Sequence, residues 1–147
     1  MALGSAPSKW TRAFKNLFKR FLSAAEERRI ESAISEAQRA TTAQIRVHVV
    51  GKVGEKNILD GAKRIFVQLG LAKASERHGV LILISHVDHR FAIFGDEGIH
   101  GKAGHPLWER AARTLEKDFA ERRYADGIIA CVREVGAELA RHFPRAS

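Results

Sequence analysis

The residues best suited to chemistry are two acids held between glycines, Gly95-Asp96-Glu97-Gly98, with His100 and His105 shortly after them. Carboxylate oxygens beside imidazole nitrogens are reasonable ligands for a divalent cation. We therefore take Asp96, Glu97 and His100 as candidate metal ligands, with calcium or magnesium as the cofactor. Such an ion also activates water, so metal-assisted hydrolysis is the enzymatic alternative. The plainer reading of the same residues is a glycine turn with its acids facing water.

Other arrangements carry less. His86-x-Asp88-His89 has a spacing that a metal can use, but it falls where the chain must turn, and turns favour aspartate. Ser85 lacks the glycine-flanked elbow of a hydrolase nucleophile. Lys52 and Lys102 lie near glycines without a phosphate-binding loop around them. The one cysteine, Cys131, sits in an apolar run and reads as a buried thiol; alone, it excludes an internal disulfide. His48 reads as structural, and His142 sits favourably near a helix end.

The formal charge of +8 is concentrated near the start of the chain. Lys9, Arg12, Lys15, Lys19 and Arg20 occur without an intervening acid, interleaved with Trp10, Phe14, Leu17, Phe18, Phe21 and Leu22 at helical spacing. A helix with an aromatic face and a basic face suits an anionic membrane surface, with Trp10, Arg12, Lys15, Lys19 and Arg20 as the contact residues. It equally suits packing of the apolar face onto the domain. Nucleic acid is disfavoured, because no basic stripe with interleaved aromatics continues beyond this stretch. No apolar run approaches the ~20 residues that span a bilayer, and no secretory signal is evident. These features lead us to expect a cytoplasmic protein peripheral to the membrane. Residues 1–22 form the basic amphipathic helix and 23–147 a single α/β domain.

The elements that must position the candidate site follow from periodicity. Ser23-Ala24-Ala25-Glu26 is a capping box, and Ile30, Ala33, Ile34 and Ala37 form the buried stripe behind it. Gln44–Val50 alternates, with Arg46 and His48 expected on a polar face. Asn57 caps the next helix and Gly70 stops it. Val80–Ile84 and Phe91–Phe94 are apolar runs around a short turn, a hairpin whose strands are expected to be buried on both faces. Its geometry brings Arg77 and His78 close to the acidic loop. Pro106 and Asp126-Gly127 open two last helices. The strand–helix–strand unit should make the first two strands parallel.

Gly79 to Gly98, with its buried strand, short polar turn, second strand and glycine–acid loop, resembles the core of the TPM-domain family. Phe119…Tyr124-Ala125-Asp126-Gly127 is similar to that family's F-x-x-G-x-Y-x-x-G stretch, and Leu22-Ser23-x-x-Glu26 and Gln44-Ile45-Arg46-Val47 look like its opening. The resemblance spans roughly residues 22–144. It implies a three-layer α/β/α sandwich around a small mixed β-sheet containing a central β-hairpin. It also implies one of three roles: acid phosphatase, divalent-cation binder, or accessory subunit of a membrane complex. Many members carry Asp-Asn before the first hairpin strand, where this chain has Arg77-His78. The reading that follows is a binding or accessory domain, its acidic loop on a divalent cation, acting with a membrane-associated protein or an anionic lipid surface; the alternative that the resemblance implies is a metal-dependent phosphatase acting on phosphomonoesters through Asp96 and Glu97.

Overall fold

The computed structural model describes residues 21–73, 78–99 and 105–146. The proposed membrane-contact residues Trp10, Arg12, Lys15, Lys19 and Arg20 lie outside these, as do Arg77 and His100. In chain order the elements are α1 (Ala24–Ala40), β1 (Gln44–Val50), α2 (Ile58–Gln68), a short 3-10 turn (Leu71–Lys73), β2 (Gly79–Ser85), β3 (Arg90–Gly95), α3 (His105–Ala120) and α4 (Tyr124–His142).

Each element starts where local chemistry favours it. The Ser23 hydroxyl accepts the Glu26 N–H at 3.1 Å, and the Glu26 carboxylate accepts the Ser23 N–H at 2.9 Å. The capping box is therefore formed in both directions. Asn57 accepts the Leu59 N–H at the start of α2, and Gly70 leaves that helix at φ 80°, a left-handed conformation that glycine adopts without a Cβ clash. The Ile128–Val132 run is helical, within α4.

The three strands form one mixed sheet in the order β1-β2-β3. β1 runs parallel to β2, with Arg46 beside Leu81 and His48 beside Leu83. β3 returns antiparallel, with Gly95 opposite Val80. One sheet face, carrying Ile45, Val47, Val80 and Ile82, packs with α1, α3 and α4. The other, carrying Leu81, Leu83 and Ala92, packs under Ala62, Ile65 and Phe66 of α2. Every residue of β2 is buried. β3 is an edge strand, and Phe91, Ile93 and Phe94 keep part of their surface. Burial on both faces therefore holds for β2 and not for the whole hairpin.

The expected polar face of β1 also needs correction. Arg46 is 1% exposed and His48 half-buried. Alternation was a fair guide to which face these residues take, but their neighbours across the strand are the fully buried Leu81 and Leu83. Burial lowers the Arg46 guanidinium below its ordinary value. Burial first, and the Arg46 charge second, push the His48 imidazole down to about 4.

α1 and α4 lie side by side in the same direction. Arg29 meets Asp126 at 2.8 Å near their starts, while Thr41 bridges Pro144 at their ends. The buried Thr41 hydroxyl lies 2.7 Å from the Phe143 carbonyl oxygen and accepts the Ala43 N–H at 3.1 Å. Phe21 and Leu22, the last residues of the basic amphipathic stretch, pack into the helical side of the core.

The turn between α3 and α4 holds Arg122 at φ 61°. Counted from Phe119, that is where the family stretch F-x-x-G-x-Y-x-x-G has its first glycine. A side chain in the left-handed region costs about 1 kcal/mol relative to glycine. Arg122→Gly should raise the stability by about that amount, read as a higher urea midpoint at unchanged slope; a lower midpoint would show that the Arg122 side chain contributes more than its backbone costs.

Candidate functional site

The acidic loop leaves the outer end of β3 beside the start of β2. The Asp96 N–H donates to the Gly79 carbonyl at 2.9 Å, and Asp96 Oδ1 accepts the Glu97 N–H at 2.9 Å. The Ile99 N–H then closes a helical turn on the Asp96 carbonyl oxygen at 3.0 Å. Asp96 is 4% exposed and Glu97 is exposed. The two carboxylates are thus neighbours in sequence with different surroundings, one capping its own turn and one at the surface. Gly95 is required by packing: a Cβ there would lie 2.7 Å from the Trp108 ring, which covers the strand end. His78 is close to the loop, its ring 3.9 Å from that of Phe143. Among the described residues, no three His, Cys, Asp or Glu side chains are grouped closely enough to hold a metal ion.

The opposite end of the sheet, where β1 and β2 finish, is organised by Asp88. Its Oδ2 accepts the Val53 N–H at 2.9 Å, the Ser85 hydroxyl at 2.8 Å and an Arg90 Nη2 hydrogen at 3.1 Å. Arg90 in turn donates to the carbonyls of Val53, Glu55 and Lys56. This network ties the hairpin turn to the loop after β1, which explains an aspartate in the His86-x-Asp88-His89 segment without a metal. Ser85 is wholly buried within it and is not presented as a nucleophile. Cys131 is buried in α4, and burial pushes its thiol up.

A cleft of about 310 Å³ opens beside this network, between the hairpin turn and the α3–α4 junction. Phe21, Phe91, Phe119 and Tyr124 line its apolar side; His86, His89 and Glu116 are among its polar groups. The Phe21 ring stacks on His86 at 5.4 Å and contacts Tyr124 at 4.6 Å. Sequence reading missed this cleft because its walls come from segments up to 103 residues apart (Phe21 and Tyr124). The available signal was positional: crevices in α/β sheets form beyond the carboxyl ends of parallel strands.

Among the described residues, a three-stranded mixed sheet with α1, α3 and α4 on one face and α2 on the other defines an α/β/α domain of the kind expected. The TPM domain model matches residues 16–138, and the chain belongs to the TPM-domain family. The BA42 protein from the psychrophilic bacterium Bizionia argentinensis has a similar solution structure. It is 31% identical, with a TM-score of 0.79 over 86% of this chain and 87% of that one. The N-terminal domain of cg2496 from Corynebacterium glutamicum shares the fold at 12% identity and a TM-score of 0.64, over 80% of this chain and 73% of that one. An N-terminal domain from P. gingivalis does so at 17% and 0.62, over 86% and 83%. No curated protein matches the sequence.

Two acid-titration windows follow. His48 is held neutral in the fold down to about 4, whereas the unfolded imidazole takes its proton near 6.5. Its contribution is intact above that value and is lost as the pH falls toward 4. The Val53 N–H first, then the Ser85 hydroxyl and Arg90, lower Asp88 from 3.8 to about 2. Its contribution is intact above about 4 and is lost between there and about 2. Thermal midpoints measured across pH should therefore fall in two steps. His48→Gln should flatten the upper step and Asp88→Asn the lower; a wild-type slope in either variant rejects that assignment.

Proposed function

We propose that the chain is a TPM binding or accessory domain that takes a divalent cation, calcium or magnesium, at its acidic loop. It acts with a membrane-associated protein or an anionic lipid surface. The observation that carries this reading is the division of labour between the two ends of the sheet. At the hairpin-turn end, Asp88 and Ser85 are bound into a structural network. At the other end, Glu97 stands at the surface on a loop anchored through Asp96 to Gly79. Oxygen ligands on a braced turn favour a hard cation. Family membership supports the same choice, and the basic stretch at residues 9–20 supports the anionic surface. Among the described residues no helix is long and apolar enough to cross a membrane.

Titration of the full chain with calcium and with magnesium, followed by amide NMR, should shift residues 95–99 and leave the hairpin turn unmoved. Glu97→Gln should weaken the effect about tenfold or more, a charged ligand being lost. Absence of any shift at millimolar ion rejects the cation site. Magnesium-dependent turnover of p-nitrophenyl phosphate that disappears in Asp96→Asn would replace binding with phosphatase activity. Co-sedimentation with phosphatidylserine vesicles should fall at least about tenfold when Arg12, Lys15, Lys19 and Arg20 are changed to Gln, each near-surface charge being worth about 1 kcal/mol. Binding that survives this change rejects the lipid surface.

A further inference from the structure

The cleft at the hairpin-turn end lies at the other pole of the sheet from the acidic loop, and its chemistry stands apart from the cation reading. Its volume of about 310 Å³ is that of a small-molecule site. The groups in it divide into those already engaged and those that are not. Ser85 is held by Asp88, and the Arg90 charge is met by the same carboxylate. Among the described residues, no side chain pairs with the Glu116 carboxylate or the His89 imidazole, and the Tyr124 hydroxyl makes no hydrogen bond. Glu116 and His89 are both exposed and both line the cleft.

His89 supplies a second observation. It sits at φ 54° in the hairpin turn. Glycine or asparagine would hold this conformation with less strain. The position instead carries an imidazole that lines the cleft. Backbone strain of this kind clusters at ligand sites.

The apolar wall is a connected set of aromatic rings in edge-on and tilted contact. Tyr124 lies 4.6 Å from Phe21 and 5.3 Å from Phe119, and Phe119 lies 6.0 Å from Phe91. Ring faces carry negative potential, and an unpaired carboxylate beside them adds to it. That combination attracts an organic cation whose charge is spread over methyl or methylene groups. An anion would meet Glu116 as a repelling charge.

We propose that this cleft binds a small organic ammonium ion, with Phe21, Phe119 and Tyr124 as the ring wall and Glu116 as the counter-charge. Tyr124 is both wall and hydrogen-bonding group, and His89 closes the polar side.

The test uses the full chain, with choline as the probe and 3,3-dimethylbutan-1-ol as its neutral isostere, read by amide NMR. Choline should shift residues 84–91 and 116–124 and bind about tenfold more tightly than the isostere. Glu116→Gln, at an exposed helix position, should weaken choline about fivefold and leave the isostere unchanged. Tyr124→Phe should retain most of the affinity and Tyr124→Leu should lose it, since the ring face is what the ammonium uses. Equal binding of isostere and choline overturns the proposal. So does tighter binding of phenyl phosphate than of choline, or shifts confined to residues 95–99. A lysine peptide that binds where choline does not would assign the cleft to a protein side chain and reject the small ligand. Unchanged thermal midpoints in Glu116→Gln separate lost binding from lost folding.

Discussion

The molecule is built around one strand that cannot tolerate water on either side. From Gly79 to Ser85, β2 has no exposed residue. Burying a side chain such as Leu81 or Ile82 contributes about 1.5–3 kcal/mol, and a strand with such residues on both faces requires a layer above and a layer below. It also requires a partner strand on each edge, because buried backbone groups must be hydrogen-bonded. β1 and β3 meet the second demand. α2 meets the first on one side, and α1, α3 and α4 meet it on the other. The three-layer architecture is the simplest arrangement that satisfies both.

The two ends of β2 then acquire different characters. At its start, the chain returns from β3 and turns tightly through Asp96, with Trp108 laid over Gly95. At its finish, a hairpin turn must be held against the loop that follows β1, and a single aspartate joins them. Aspartate suits this task because its ionised carboxylate accepts several hydrogen bonds at once. The same engagement that depresses its proton affinity removes it from consideration as a reactive group. Among the described residues of the cleft, Glu116 and His89 stand outside that network.

Much of this was legible from residue types alone. The capping box at Ser23 and Glu26, the stop at Gly70, the hairpin and the parallel pairing all rest on local chemistry or on the handedness of crossovers, and the structure carries each of them. The acidic loop was legible as a turn; the separate fates of its carboxylates were not, since they depend on what covers the end of β3. Arg46 shows the same limit. Its alternation was readable, but its 1% exposure was not, since the strand beside it, paired through Leu81, lies 35 residues later. Asp88 looked like a turn former because its main partner, Val53, lies 35 residues earlier. The cleft was least legible, because no single segment contains more than part of it.

The parallel course of α1 and α4 has a consequence for how the domain is joined to anything else. Phe21 enters at the cleft, beside His86 and Tyr124, while Phe143 leaves beside His78, at the far end of β2. The described residues therefore begin at one pole of the sheet and end at the other, so Phe21 and Phe143 stand apart by the length of β2.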